Sequence, residues 1–209
     1  MTEAEAAGKL KPGDTIIDGG NSYYKDDIRR ANVPGVFDVV PCFECVAVYH
    51  EAPVPEFESL ISGRAHVLEH VRHTIPCCYE MGDDLEDVAR LAGLSVDQLI
   101  EIHSGAPFTC EAVGFQPGFA YLGSLPDRCQ AIPRLDTPRL TTPAGAIGIA
   151  GRLTGIYPSA SPGGWRIVGR TPLRVAAPES LHFPIAVGHT VKFQRISEQE
   201  YTLMEGDSL

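Results

Sequence analysis

The sequence predicts an α+β chain: a small α/β N-terminal part followed by a small closed β-barrel. Three observations predict it. Beyond Phe108, short apolar runs are spaced by Gly and Pro turns, as in barrels built of short strands. Residues 83–103 carry start and stop signals for two short helices. The first 73 residues mix strand-like and helix-like runs.

Taken in order, Thr15–Asp18 is a short β run, Gly19 and Gly20 make a turn, and Asn21 or Ser22 caps a helix carrying Ile28. Val36–Tyr49 is strand-like, and Leu60, Ile61, Val67, Leu68 and Val71 give a partial helical stripe. His66, His70 and His73 then share one helix face, read as solvated rather than metal-binding. Asp83 or Asp84 caps the next helix and Gly93 ends it. Ser95 and Gln98 form a capping box for a second helix that reaches His103. Strands are expected at Phe108–Phe115, Ala146–Ala150, Arg166–Gly169, Leu173–Val175, Val191–Ile196 and Tyr201–Met204. The domain boundaries read as 1–32, 33–73 and 74–209.

Composition narrows the function. The 209 residues carry a net charge of −10, which argues against nucleic acid, and the helix pair at 83–103 is acidic. No run of 18 apolar residues suggests a membrane span, and the N-terminus lacks the pattern of a secretory signal. Six cysteines do not make a disulfide framework, so a reducing, cytoplasmic setting is expected. Cys42 and Cys45, with the adjacent Cys77 and Cys78, lack the spacing of two zinc-ligand pairs, and no metal site is assigned.

The block Gly114–Pro172 holds ten of the 21 glycines, eight of the 17 prolines and the only tryptophan, Trp165. Aromatics interleaved with turn residues describe rigid strands and turns rather than a linker. Such turns are where binding sites are built. Gln116, Gly118, Tyr121, Gly145, Tyr157, Ser161, Gly163, Gly164, Trp165 and Arg170 are the candidate substrate contacts. Gly163 and Gly164 offer backbone N–H groups to an anion. Arg139 and Arg170 offer guanidinium forks to a carboxylate or phosphate. His103 is the candidate proton relay and Arg139 the second candidate catalytic residue. No Ser–His–Asp order, H-E-x-x-H or phosphate loop is present.

Two resemblances follow from motifs. PGDTIIDGGNSYYKDDIRR resembles one segment of the decarboxylating 6-phosphogluconate dehydrogenases, whose GGNS asparagine maps to Asn21. No G-x-G-x-x-G opens a βαβ unit, so dehydrogenase activity is not expected. The stretches IHSGAPFTCEAVGFQPGFAYLGSLP, PRLDTPRLTTPAGAIGIAG and TGIYPSASPGGWRIVGRTP resemble the family of the bacterial 5-oxoprolinase B subunits. That family also holds a sporulation-kinase inhibitor and proteins labelled allophanate hydrolase subunit 1, and it resembles one half of the carboxyltransferase domain of biotin-dependent urea carboxylase. The resemblance covers about residues 36–205. It implies a cyclophilin-like β-barrel after an incomplete α/β domain, and ATP-dependent opening of 5-oxoproline to glutamate. It also implies ATP shared with partner subunits: a C-type barrel protein and an A-type protein. Inhibition of a histidine kinase without catalysis is the alternative, and an inactive chimera a third. Leu153 stands where the family usually has Gln.

Overall fold

Short apolar runs become strands here because each can bury one face or both. A computed structural model describes residues 16–18, 36–42, 45–50, 71–129 and 132–209. The chain separates into two units, residues 1–69 and 70–209. In the first, β1 (Ile16–Asp18), β2 (Val36–Cys42) and β3 (Cys45–His50) form an antiparallel sheet in the order β1-β3-β2. The single strand expected over Val36–Tyr49 is thus a hairpin, with Cys42 opposite Cys45 across two intervening residues. Of the dehydrogenase-like segment only Ile16–Asp18 is described; Asn21, His66, His70 and the helical stripe from Leu60 to Leu68 lie outside the described residues.

The second unit contains β4 (Arg72–Cys77), β5 (Pro107–Val113), β6 (Ala120–Gly123), β7 (Arg139–Thr142), β8 (Ala146–Ala150) and β9 (Leu153–Ile156). It continues with β10 (Ser161–Gly163), β11 (Arg166–Arg170) and β12 (Thr190–Arg195). Three helices accompany them: α1 (Leu85–Ala92), α2 (Val96–Gly105) and α3 (Glu198–Met204). The strands run β4-β12-β5-β6-β9-β8-β11, with β4 and β12 parallel and the other pairs antiparallel. Reciprocal backbone bonds between Cys78 and Arg170, at 2.8 and 3.0 Å, join the end of β4 to β11. This single bridge nearly closes the barrel and leaves little sheet edge open at that end. β7 and β10 form a separate two-stranded ribbon.

Several elements sit where the sequence places them. Gly93 ends α1 in the left-handed region (φ 67°), and Ser95 and Gln98 cap α2 reciprocally. Others differ. His73 lies on β4, not on a helix face, and its Nε2 is 3.0 Å from His189 Nδ1. Leu173–Val175 makes no strand; Arg174 forms only an isolated bridge to Ser208. Tyr201–Met204 is helical rather than extended, because Ser197 and Glu200 form a capping box and Tyr201 packs against Cys78 and Ile196.

The barrel interior is filled by side chains such as Ile75, Leu122, Ile147, Ile149, Ile156 and Phe193. His103, from the last turn of α2, is fully buried among them, its ring stacked 4.5 Å from that of Phe193. Thr154 Oγ1 donates to the Gly148 carbonyl at 3.0 Å, so it accepts from His103 Nε2–H at 3.0 Å. That leaves His103 Nδ1 to accept from the Tyr79 hydroxyl at 2.7 Å. Every polar atom of this buried chain is therefore satisfied, as a low-dielectric interior requires. Burial lowers the His103 pKa to about 3, so the ring is neutral in the folded protein. The thiols of Cys77 and Cys110 are likewise buried and pushed upward, Cys110 to about 12.

The histidine makes acid stability predictable. Below its ordinary pKa near 6.5 the unfolded chain binds a proton that the folded chain refuses until about pH 3. Stability is full above pH 6.5 and falls on acidification, at a rate of about 1.4 kcal/mol per pH unit from this group. Urea unfolding at pH 7, 6 and 5 should show a shallower pH dependence for His103→Gln than for the wild type; parallel curves would overturn the assignment.

Candidate functional site

The outward face of β8 and β9 is buried as well as the inward one, so every residue of β8 is buried. Gly148 and Gly155 are paired directly across these strands. A Cβ on Gly148 would lie 3.0 Å from Trp165 Cβ, and one on Gly155 would lie 3.0 Å from the Phe119 ring. The two glycines thus make a flat floor that lets the aromatics seat close to the backbone. On it Phe119 packs edge-on against Tyr121, Tyr157 and Trp165, with centroids 4.9, 5.2 and 5.5 Å away. Edge-to-face contacts of this kind are favourable beyond the area they bury. Ala146, Ala150 and Ile167 complete the cluster, and Leu153 packs against it.

Above the cluster lies a groove of about 210 Å³. Phe115, Phe119, Tyr121, Tyr157 and Trp165 supply its aromatic lining, and Pro138, Pro162, Gly163, Gly164 and Arg134 the rest. Phe115 stands at the rim, 61% exposed and in the left-handed region at φ 67°. A non-glycine residue there is strained, and such strain collects at ligand sites. Its turn is built by Pro117-Gly118, with Phe119 N–H donating to the Gln116 carbonyl at 3.0 Å and Gly118 at φ 84°.

Gly163 has a further role. A Cβ there would come within 2.6 Å of Tyr157 Oη and 2.7 Å of Thr142 Oγ1. Thr142 is fully buried and its hydroxyl has no hydrogen-bond partner among the described residues. Burial raises the Tyr157 pKa, against the Trp165 backbone and the charges of Arg134 and Arg139, which lower it. The phenol stays protonated; its oxygen accepts from the Trp165 backbone and its O–H is available as a donor.

The structure therefore brings together five of the residues singled out from the sequence: Tyr121, Tyr157, Gly163, Gly164 and Trp165. Gln116 and Ser161 lie beside them as a brace. Gln116 accepts from Ser159 Oγ at 2.6 Å and reaches Ser161 Oγ at 3.5 Å, tying two loops together. Gly118, Gly145 and Arg170 serve the scaffold: Cβ atoms on the glycines would strike Ala176 and the Thr171 carbonyl, and Arg170 donates to the Ala144 carbonyl. His103 is in the barrel interior, with both ring nitrogens engaged, and is not among the groove residues.

Arg139 is held elsewhere too. Its Nη2 donates to both Asp84 oxygens, at 2.7 and 2.8 Å, and its Nη1 reaches the Trp165 carbonyl at 3.4 Å. Hydrogen bonding to Asp84 holds the Arg139 pKa above its ordinary value. Asp84 also accepts from Ile167 N–H at 2.6 Å, and so makes no side-chain cap to α1 despite its N-cap position. The arginine that lines the groove is Arg134, five residues upstream. Among the described residues no carboxylate pairs with it. Phe115 and Phe119 are lining residues absent from the sequence-derived candidates, although they flank Gln116 and Gly118 in the same turn; Arg134 carries no signal separating it from the other arginines of the block.

Comparisons with known proteins agree with this architecture. Residues 22–184 match the family described as carboxyltransferase domain, subdomain C and D. The chain is 35% identical over 204 aligned positions to the 5-oxoprolinase B subunit of Bacillus subtilis (strain 168), covering 87% of this chain and 84% of that one. The crystal structure of TTHA0988 superposes with a TM-score of 0.73 at 28% identity, covering 88% of this chain but 40% of that one. Urea carboxylase of Kluyveromyces lactis shares the fold at a TM-score of 0.66 and 16% identity, over 85% of this chain and 19% of that one.

The Asp84–Arg139 pair makes its own prediction. Asp84 is nearly buried, so removing its cation leaves a charge in a poor solvent. Arg139→Gln should cost about 3 kcal/mol of stability and Asp84→Asn about 2, since the partly exposed arginine can rehydrate. Denaturant titration followed by Trp165 fluorescence reads both; a loss under about 0.5 kcal/mol for Arg139→Gln would sink the claim that the pair anchors the groove wall.

Proposed function

This chain belongs to the carboxyltransferase subdomain C and D family, and from that premise we propose that it is the B-type subunit of an ATP-dependent 5-oxoprolinase. The observation that carries the reading is the likeness to a 5-oxoprolinase B subunit across most of both chains. The reaction opens the lactam of 5-oxoproline: its C–N bond breaks, water supplies the oxygen of the new carboxylate, and glutamate is released. ATP supplies the driving force by activating the lactam oxygen.

The groove does not fit a nucleoside triphosphate. It measures about 210 Å³, and among the described residues Arg134 is the only cation that lines it. Among the described residues no group of carboxylates could hold a metal with the phosphates. The groove is therefore assigned to the small ring, and ATP is shared with partner subunits of the A and C types in a cytoplasmic complex. This chain's part is to bind and orient the small ring. Trp165 and Tyr157 wall it, and the Tyr157 hydroxyl stands ready to hydrogen-bond a polar edge. An environment of fixed dipoles and little water favours charge that develops on a carbonyl during attack.

Glutamate formation from 5-oxoproline and ATP, measured with the co-expressed A-, B- and C-type subunits, tests the proposal. Omitting this chain should abolish turnover. Gly163→Ala, whose methyl group would occupy the space beside Tyr157 Oη and Thr142 Oγ1, should lower kcat/KM at least about tenfold. Turnover that persists at the full rate without this chain overturns the reading.

A further inference from the structure

We propose that Arg134 is the anion anchor of the groove, and that it selects small rings carrying a carboxylate. This rests on the reading above and names the part of the substrate the groove recognises. Three observations carry it. Arg134 is the one charged residue, among the described residues, in a lining of aromatics, prolines and glycines, and has no carboxylate partner among them. The neighbouring Arg139 is outside the lining and is already paired, its Nη2 donating to both oxygens of Asp84. The groove lining also carries the Tyr157 hydroxyl, whose Oη lies 2.6 Å from the position a Cβ on Gly163 would take.

The combination has a chemical reading. Flat aromatic walls take the faces of a small, weakly polar ring. A guanidinium takes a carboxylate through two parallel hydrogen bonds, and partial desolvation in the groove strengthens them. The Tyr157 hydroxyl takes a polar atom elsewhere on the ring. A five-membered lactam with an α-carboxylate has all three features. The same ring without the carboxylate lacks the one that Arg134 reads.

Trp165 is the only tryptophan and lines the groove, so its fluorescence reports occupancy directly. The full chain is titrated with 5-oxoproline and with 2-pyrrolidone, which has the lactam but no carboxylate. Wild type should bind 5-oxoproline about ten- to a hundredfold more tightly than 2-pyrrolidone. Arg134→Gln should remove that preference and leave 2-pyrrolidone binding unchanged; Arg134→Lys should restore part of it. Equal affinity of wild type and Arg134→Gln for 5-oxoproline, or no saturable response to either ring, overturns the proposal. Glutamate formation by the assembled subunits separates this from the functional reading. An active complex with an unaltered KM in Arg134→Gln would refute the anchor alone. Carboxylate-selective binding in a complex that forms no glutamate would refute the 5-oxoprolinase reading and leave the anchor standing.

Discussion

The Asp84 carboxylate is the interaction on which the groove depends. One nearly buried side chain accepts from Ile167 N–H on β11 and from the guanidinium of Arg139 on β7 through both of its oxygens. It thereby ties the start of α1, a barrel strand and the two-stranded ribbon to one point. The ribbon's neighbours, Pro138 on one side and Gly163 to Trp165 on the other, form one wall of the groove. A charge placed there would be expensive alone; with three hydrogen bonds it becomes a specific lock. That use also explains why Asp84 stands at the N-cap of α1 without capping it.

A second constraint is the division of labour between the two faces of β8 and β9. Inward residues such as Ile147, Ile149 and Ile156 join the main core, and outward residues carry the aromatic cluster. Because the pleat alternates, Thr154 points inward to His103 while Gly155 beside it faces Phe119. The barrel interior is solid, and the aromatic groove lies outside it, over the Gly148–Gly155 floor. The position where the family usually has Gln and this chain has Leu153 falls on the outward face, packed against the cluster rather than lining the groove.

How far the sequence could be read follows from the range of the forces involved. Helices α1 and α2 were legible because caps are local: Gly93, Ser95 and Gln98 lie within a few residues of the ends they set. The same signal was present at Ser197 and Glu200, and the β-rich context of the chain's second half obscured α3. Strands β6, β7, β9 and β10 escaped notice, since runs of three or four residues are too short to show a period. β4 escaped because Val71–His73 continued a helical stripe, while its pairing partner β12 lies over a hundred residues away.

By itself the sequence determined the barrel class and the aromatic turns that line the groove, because turn chemistry and apolar spacing act between neighbours in the chain. What only the tertiary structure decided was the role of each polar residue. His103, a proton relay by residue type, is buried neutral by an interior assembled from distant strands. Arg134 and Arg139 are equivalent by residue type and lie five positions apart. A carboxylate 55 residues from Arg139 engages that one and not Arg134. Charge compensation acts through space, so the identity of the unpaired cation appears only when the chain has closed.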